Sequence, residues 1–204
     1  MIAVLTGDII NSRQVNSDEW LPKLKDYFKE VSSNVQKWEI YRGDSFQIQL
    51  KIEEALLSAI CIKALIKTNS KLDVRISIGI GDVSFEGKKV IESYGTAFIN
   101  SGEAFEKLKN NNTLNIKTPF YNIDEYFNPI FKLLSFIIDN WKPATSETIF
   151  CALMNRNLLQ KEIAELLQKD KTTVSRALKR GAYEEIIDII DLFNKKILDV
   201  STNN

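Results

Sequence analysis

The sequence predicts an α+β protein in which a sheet-forming N-terminal part precedes a wholly helical C-terminal part. Three observations predict this class. Strand and helix patterns alternate over the first 118 residues, every pattern after Pro119 is helical, and 44% hydrophobic with 26% charged residues is ordinary for a globular chain. We place the boundary near residues 117–122, which separates a domain of residues 1–118 from one of residues 119–204.

The N-terminal part begins with IAVLTGD, a short apolar run that is typical of a buried strand. Two strand-like runs around Arg-Gly-Asp-Ser then indicate a hairpin, DVRISIGIGDV is an alternating strand, and TLNIKT is a candidate edge strand. Apolar residues spaced by three and four predict helices over residues 17–36, 52–67 and 96–109. The order strand, helix, hairpin, helix, strand is βαββαβ, the ferredoxin-like plan of an antiparallel sheet with helices on one face.

The C-terminal part is predicted to be all α-helix. The five predicted helices cover residues 123–140, 146–156, 159–167, 172–180 and 182–198. The last of them carries more apolar surface than a tail helix needs, so we expect it to pack on a partner or on the first domain. Its apolar residues are Ile186, Ile187, Ile189, Ile190, Phe193 and Ile197.

Composition excludes several kinds of chemistry. Lys plus Arg and Asp plus Glu both number 27, so any basic surface must be local. The chain has no histidine, which removes imidazole bases and histidine-ligated zinc. Cys61 and Cys151 lie far apart in apolar segments, as expected of buried structural thiols in a reducing cytoplasm. No signal peptide or membrane-spanning run is visible, so we expect a cytoplasmic protein without a membrane partner.

The segment LLQKEIAELLQKDKTTVSRALKR predicts two short helices joined by a tight turn, a helix-turn-helix at about residues 159–180. Apolar residues repeat on one side of each helix, at Ile163 and Leu167 in the first and at Val174 and Leu178 in the second. The outer side of the second helix carries hydroxyls and cations, which suit a DNA major groove. The residues predicted to contact DNA are Lys171, Thr172, Thr173, Ser175, Arg176, Lys179 and Arg180.

Local charge favours the same function. From Arg156 to Arg180 there are seven basic residues against three acidic ones, a net charge of +4 in a chain whose total charge is zero. Such a local positive field is expected of a surface that contacts phosphates. The alternative is a three-helix packing unit used for homodimerisation or for docking another protein.

The Ile-Ala pair in the first of these helices and the Thr-Val-Ser-Arg-Ala-Leu run in the second resemble the bacterial helix-turn-helix pattern. Gln168 stands where that pattern usually has Gly, and Lys169 stands where an aliphatic residue is usual. A residue other than Gly in a left-handed turn costs about 1 kcal/mol. The departure at Gln168 therefore carries an energetic cost.

Two aspartates mark a candidate site in the N-terminal part. Asp8 ends the first strand, in TGDIINSR, and Asp44 lies in the hairpin, in YRGDSFQ. These strands are neighbours in a βαββαβ sheet, so their ends could bring the two carboxylates together. Neighbouring carboxylates repel unless a cation lies between them, and oxygen ligands suit Mg²⁺ or Mn²⁺. The alternative is that Asp8 is a capping or turn residue and that Asp44 is an ordinary hairpin-turn residue.

The runs TGDIINS, YRGDSFQI, RISIGIGDV and YGTAFINSGEAFEKL resemble the nucleotidyl cyclase and GGDEF superfamily over roughly residues 1–118. The resemblance implies that Asp8 and Asp44 hold metal on the triphosphate of a purine nucleotide. The predicted nucleotide-binding residues are Asn11, Ser12, Arg13, Gly43 and Asn100, of which the first three follow Asp8 where main-chain N–H groups at a helix start could cradle phosphate. In cyclases the last of these runs supplies an Asn and an Arg to the transition state. Here it offers Asn100 but no Arg, which favours binding over catalysis.

Taken whole, with the helical tail included, the chain resembles the SatD family, which joins this kind of N-terminal domain to a helical, helix-turn-helix-like C-terminus. We therefore expect a cytoplasmic transcription regulator whose first domain binds a nucleotide with a divalent metal and whose second domain binds DNA. The open alternatives are a metal-dependent nucleotidyl cyclase or nucleotidyltransferase and a non-catalytic interaction module. Arg13, Arg42 and Arg75 are either solvated or reach a phosphate.

Overall fold

The computed structural model of the chain describes residues 1–32, 34–109 and 112–202. Within these residues a five-stranded mixed sheet is combined with eight α-helices, so the protein is α+β. The strands are β1 (Ile2–Ile10), β2 (Trp38–Tyr41), β3 (Ser45–Leu50), β4 (Asp73–Gly81) and β5 (Leu114–Lys117). The helices are α1 (Leu21–Val31), α2 (Ala55–Ile66), α3 (Thr96–Glu106), α4 (Tyr121–Asp139), α5 (Pro143–Met154), α6 (Gln160–Leu166), α7 (Lys171–Arg180) and α8 (Tyr183–Thr202).

The sheet has the strand order β2-β3-β1-β4-β5. The central strand β1 is antiparallel to both β3 and β4, and β2 forms the hairpin with β3. The chain order of strands and helices is the predicted one. The sheet is not wholly antiparallel, however, because α3 returns the chain to a fifth strand that runs parallel to β4.

Helices cover both faces of the sheet, which corrects the prediction of helices on one face. Phe28 of α1 packs on Phe46 of β3, and α1 lies beside α2 on that face. On the opposite face α3 lies so close to β4 that a Cβ on Gly79 would come within 2.1 Å of the Ser101 main-chain nitrogen. Glycines in β4 therefore allow α3 to sit directly on the strand.

The first helix is shorter than predicted. The spacing predicts a helix over residues 17–36, whereas α1 ends at Val31 and 3-10 turns cover Ser17–Glu19 and Val35–Lys37. The Asn34 side chain accepts a hydrogen bond from the Gln36 main-chain nitrogen at 2.9 Å. Such side-chain bonds offer the backbone an alternative to the helix. Ser33, which falls inside the predicted helix, lies outside the described residues.

Helix α2 is buried on all sides, although its sequence predicts one apolar stripe. Eleven of its twelve residues are buried, including Ser58 and Lys63. The reason is that α2 packs on the sheet with one side and on α5 with another. One hydrophobic core continues from the sheet through α2 into the C-terminal helices, across the predicted boundary at residues 117–122.

A fully buried lysine joins the two parts. The ammonium group of Lys63 donates to the Asp73 carboxylate at 3.1 Å, the Val74 carbonyl at 2.8 Å and the Thr113 hydroxyl at 2.9 Å. It also pairs with Asp139 at the end of α4, at 2.9 Å. We call Lys63, Asp73, Thr113 and Asp139 the lysine hub. It ties α2, β4 and the segment before β5 to the helical part.

The five C-terminal helices begin and end within four residues of their predicted limits. The apolar side of α8 packs inside the molecule, against α4 and the turn that precedes α2. Phe193 of α8 lies 5.1 Å from Phe127 of α4, between ring centroids. The buried residues of α8 are Ile186, Ile190, Phe193 and Ile197. This face therefore packs on the rest of the chain, which is one of the two predicted outcomes. Among the described residues, no helix has the length and apolar character needed to cross a bilayer.

Candidate functional site

A cleft opens at the end of β1, where the strand leads into a 3-10 turn at Ser12–Gln14. Its volume is about 480 Å³. The register places Asp8 opposite Ser45 of β3 and opposite Arg75 of β4, and the Ile9 main-chain nitrogen donates to the Asp44 carbonyl at 3.0 Å. The cleft is lined by Asp8, Ile9, Ile10, Asn11, Ser12, Arg13, Gln14, Asp44 and Arg75. The sheet thus brings the two predicted aspartates to one site.

Each aspartate in the cleft has its own protein partner. The Arg75 guanidinium donates through Nη2 to the Oδ2 atom of Asp8 at 2.6 Å. The Ser45 hydroxyl donates more weakly to the other carboxylate oxygen of Asp8, at 3.4 Å. Asp44 accepts a hydrogen bond from the Ser12 hydroxyl at 2.6 Å. One carboxylate is therefore neutralised by a cation, while the other is bound to a neutral group.

Asp8 and Asp44 are the carboxylates that line the cleft. Proteins commonly bind Mg²⁺ through one or two carboxylates together with water and ligand phosphates. The part of the chain that the structure describes contains no group of three or more acidic, histidine or cysteine side chains that could hold a metal ion. Because Arg75 is bonded to Oδ2 of Asp8, a metal at this carboxylate would lie close to a positive charge.

The turn after β1 lines the cleft. Asn11 adopts a left-handed conformation, with φ 62° and ψ 20°, and Ser12 to Gln14 then form the 3-10 turn. A left-handed residue followed by a helical turn points successive N–H groups to one side, a geometry that binds anions. The side chain of Asn11 is held at the edge by the Lys71 carbonyl, at 3.2 Å. Arg13 is exposed on the rim.

Two residues predicted to bind nucleotide lie outside this cleft. Gly43 is at the hairpin tip with φ +90°, and a Cβ at this position would have no atom within 4 Å, so the role of Gly43 is to allow the turn. Asn100 is buried in α3 and donates to the Ile80 carbonyl at 2.7 Å. Ile80 is five strand residues from Arg75, roughly 17 Å along β4 at about 3.3 Å per residue. Asn100 therefore stands near the other end of the sheet.

Arg75 lines the cleft, whereas the sequence left it open as either a solvated arginine or one that reaches a phosphate. It lies on β4 and stacks over the Phe105 ring of α3, 5.7 Å from the ring centroid. In the sequence it is one polar position in an alternating strand, and nothing local separates it from a solvated arginine. The signal becomes visible only through the strand register, which sets Arg75 opposite Asp8.

The hairpin tip between β2 and β3 has two residues with positive φ. Arg42 has φ 53°, which costs a side-chain-bearing residue about 1 kcal/mol, and Gly43 has φ 90°. Two-residue hairpin turns require such conformations, so this strain belongs to the turn. The neighbouring Tyr41 is half-buried, and burial together with the charge of Asp8 raises the pKa of its phenol, against an opposing effect of Arg42.

The two helices predicted at about residues 159–180 are observed as α6 and α7. Ile163 and Ala164 of α6 and Val174 of α7 are buried at their contact. Gln168 has φ 53°, which confirms that the turn places a residue other than Gly in the left-handed region. The Asp170 carboxylate caps α7 by accepting from the Thr173 main-chain nitrogen at 2.9 Å. Hydrogen bonds from Thr173 and Thr172 lower the pKa of the Asp170 carboxyl.

All seven residues predicted to contact DNA lie on α7 and are exposed. They are Lys171, Thr172, Thr173, Ser175, Arg176, Lys179 and Arg180. The Thr173 hydroxyl donates to Asp170, so this side chain belongs to the helix cap. The buried side of α7 faces α5, α6 and α8, and its outer side faces solvent.

Ion pairs neutralise the other basic residues of this segment. Arg156 pairs with Asp191 at 3.0 Å, Lys161 with Glu165 at 3.8 Å, and Lys169 with Glu147. By contrast, the cations of α7 make no ion pair with any described residue. The positive charge of the segment is therefore concentrated on the outer side of one helix.

The two cysteines are structural, as the sequence predicts. Both are free thiols, Cys61 buried and Cys151 half-buried. Burial raises the pKa of the Cys61 thiol to about 12, and burial also raises that of Cys151. Neither thiol is activated as a nucleophile, because the reactive form is the thiolate.

Comparison with known proteins gives one family. No curated protein matches the chain. A sequence model described as the SatD family matches residues 1–187, which covers the sheet, the cleft, α6 and α7 and the start of α8. The match extends over most of the chain, and the protein therefore belongs to the SatD family.

Proposed function

We propose that the protein is a DNA-binding regulator in which α7 enters the major groove and the cleft beside Asp8 binds a phosphate-bearing ligand. The observation that carries the proposal is the set of cations on the outer side of α7, which pair with no acid among the described residues. A helix of ten residues is about 15 Å long, which is enough to lie in a groove about 12 Å wide.

The charge distribution supports DNA binding over a packing role. A helix used for protein docking needs an exposed apolar side, whereas the outer side of α7 carries Lys171, Arg176, Lys179 and Arg180 with no apolar residue between them exposed. Phosphate contacts supply most of the affinity in DNA binding, and arginine adds contacts to guanine edges. The Ser175 hydroxyl lies among these cations and suits a phosphate or base edge.

The fold we infer for the first 118 residues is ferredoxin-like and of the cyclase type, followed by an all-α domain. The strand order β2-β3-β1-β4 with antiparallel neighbours supports it, since a βαββαβ chain with two crossover helices produces this order. The two parts share one core, so they are expected to fold and unfold as one unit in the cytoplasm.

A physical route connects the two ends of the molecule. Helix α2 packs on β4, which carries Arg75, and on α5 of the helical part. Helix α5 in turn packs on α7. A ligand that changes the position of β4 or α2 can therefore bias the position of α7, which is what a ligand-responsive DNA-binding protein requires.

The test of DNA binding is fluorescence anisotropy with labelled genomic fragments across a salt series. If all four cations of α7 contact phosphates, the logarithm of the association constant falls with the logarithm of salt concentration with a slope of about −3.6. Arg176→Ala combined with Arg180→Ala should reduce that slope to about −1.8. The matched control is Arg156→Ala combined with Lys161→Ala, which removes the same charge from residues already paired with acids.

The control should leave the slope unchanged. DNA binding that is absent or insensitive to salt refutes the proposal. The proposal is also refuted if the two double variants reduce the salt slope equally. Circular dichroism on each variant shows whether the helices are retained.

A second candidate function is turnover of a nucleotide in the cleft, in the manner of a nucleotidyl cyclase or nucleotidyltransferase. Arg75 favours it, because it places in the cleft a cation that α3 does not supply. The test is incubation with ATP or GTP and with Mg²⁺ or Mn²⁺, followed by mass spectrometry. A product that disappears with Asp8→Ala and with Asp44→Ala supports the enzyme, and unchanged nucleotide in every sample refutes it.

A further inference from the structure

Arg75 has more hydrogen-bonding capacity than the protein uses. A guanidinium carries five N–H donors in a planar fork. Within the described residues Arg75 makes one hydrogen bond, to Asp8, and its buried Nε–H has no partner. The guanidinium carbon lies 5.7 Å from the centroid of the Phe105 ring, within the range of a cation–π interaction. A guanidinium at the wall of a cleft with unbonded Nη–H donors is the arrangement that binds phosphate oxygens two at a time.

The rest of the cleft offers further donors to the same anion. Arg13 is exposed on the rim and makes no ion pair with any residue that the structure describes. The left-handed residue Asn11 and the turn that follows line the same space, and this type of backbone conformation can offer main-chain N–H groups to an anion. Asp44 does not compete with the anion for Arg75, because its carboxylate is bound to the Ser12 hydroxyl.

Asp8 has the geometry of an internal counter-ion. Its side chain is 24% exposed and that of Arg75 is 33% exposed, so both ends of the pair reach the cleft. A partly buried guanidinium is less costly with a carboxylate beside it, and Asp8 supplies that carboxylate when no ligand is bound. An entering phosphate can take the place of the carboxylate oxygen on the fork, which leaves the partly exposed Asp8 carboxylate to be solvated.

We propose that the cleft binds the phosphate groups of its ligand directly on Arg75 and Arg13, without a divalent metal, and that Asp8 is the counter-ion for which the phosphate is exchanged. The ligand class is a phosphate ester or anhydride with two or more linked phosphates, since two guanidiniums and the turn together match more than one phosphate. This inference rests on the proposed role of the cleft in ligand binding and specifies how that ligand is held.

Metal-free and metal-bridged binding predict opposite signs for one substitution. If a metal bridged the ligand to Asp8, Asp8→Asn would remove a ligand of the metal and weaken binding. With Asp8 as counter-ion, Asp8→Asn frees Arg75 and strengthens binding roughly two- to fivefold, the fold-change that corresponds to a partly exposed ion pair. Asparagine has nearly the same shape as aspartate, so the cleft keeps its form.

The experiment is isothermal titration calorimetry of the full chain with inorganic tripolyphosphate, and separately with ATP and GTP, in excess EDTA and in excess MgCl₂. We expect binding in EDTA, and weaker binding in MgCl₂ because the metal neutralises the anion. Arg75→Ala should weaken binding roughly 30-fold, as expected for loss of charge-assisted hydrogen bonds. The affinity of Arg75→Lys should lie between those of the unmodified protein and Arg75→Ala, since lysine keeps the charge and loses the planar fork.

Lys132→Ala is the matched control, because Lys132 is an exposed cation on α4 outside the cleft. The affinity of this variant for tripolyphosphate should equal that of the unmodified protein. Binding that requires Mg²⁺ and is lost in Asp8→Asn overturns the metal-free inference but keeps the cleft as a ligand site. No binding in either buffer removes both the inference and the ligand role of the cleft. Asp8→Asn and Arg75→Lys decide the matter even if Arg75→Ala fails to fold.

Discussion

The lysine hub allows a sharp test of how the two halves of the molecule hold together. Lys63 is 0% exposed, and its ammonium lies about 3 Å from Asp73 on β4 and from Asp139 on α4. At an effective dielectric constant of about 20, each pair at this distance has an attraction of roughly 5–6 kcal/mol before desolvation is subtracted. Most of this is cancelled by the cost of burying the charges. The net effect of a substitution therefore depends on whether Lys63 keeps at least one carboxylate.

Asp139→Asn leaves Lys63 paired with Asp73, and we expect it to lower the free energy of unfolding by about 1–2 kcal/mol. Asp73→Asn leaves Lys63 paired with Asp139 but also removes the carboxylate that pairs with the buried Lys67 at 3.0 Å, so a larger loss is expected. The double variant leaves a fully buried ammonium without an anion, which costs about 3–5 kcal/mol for the last partner removed. The double loss should therefore exceed the sum of the single losses by at least about 1 kcal/mol.

Urea unfolding followed by circular dichroism measures these free energies, provided that the slope of the unfolding free energy against urea concentration is the same for all variants. The control background is Lys63→Met, in which Asp139→Asn should cost less than about 0.5 kcal/mol because no buried cation remains to be neutralised. Additive losses in the unmodified background, or the same loss in the Lys63→Met background, would refute the role given to the hub.

Three further predictions concern single positions. Gly79→Ala should destabilise the fold by about 3 kcal/mol, because the added Cβ would meet the backbone of α3. Gly102→Ala, on the open side of α3, should instead stabilise the fold by about 0.5–1 kcal/mol. Thermal unfolding of the two variants checks this, and equal effects on stability would contradict the packing of α3 on β4. Gln168→Gly should raise the free energy of unfolding by roughly 0.5–1 kcal/mol, because glycine adopts φ 53° without strain; a chemical denaturation curve that is unchanged or shifted to lower urea would contradict it. Burial raises the pKa of the Asp73 carboxyl, but Lys63 and Lys67 outweigh burial and lower it overall. A lowered pKa in the folded state gives stability above the unfolded pKa of about 3.9 that is lost as pH falls through the folded pKa. The difference in unfolding free energy between the unmodified protein and Asp73→Asn should therefore be constant above about pH 5 and shrink below about pH 4, and a difference that grows in acid would contradict it.

The periodic parts of the chain were predictable because their signals are local. Helices α4 to α8 follow from apolar spacing alone, and each is observed within four residues of its predicted limits. The left-handed turn at Gln168 was predictable from the bacterial helix-turn-helix pattern, because two helices joined by so short a turn require a left-handed residue there. Where short polar residues compete for the backbone, as Asn34 does after α1, spacing alone overextends the helix.

The candidate site was predictable in part. Asp8 and Asp44 share the cleft because strand order follows from chain order in a βαββαβ plan. Gly43 and Asn100 lie outside it, since motif resemblance carries residue types but not the direction in which they point. Arg75 carried no local signal, because an arginine on a strand is charged in any environment and only its neighbours distinguish a solvated side chain from a binding one.

By itself, the sequence determined the order and type of the elements, the positive charge of α7 and the absence of imidazole chemistry, because these depend on residues close together in the chain or on composition. The tertiary structure decided which charges are free. Of the basic residues between Arg156 and Arg180, those outside α7 are paired with acids up to 35 positions away in the chain, while those on α7 pair with no acid that the structure describes. It also decided that Asp8 faces Arg75, 67 positions away, because antiparallel pairing of β1 with β4 sets their side chains opposite one another on one face of the sheet.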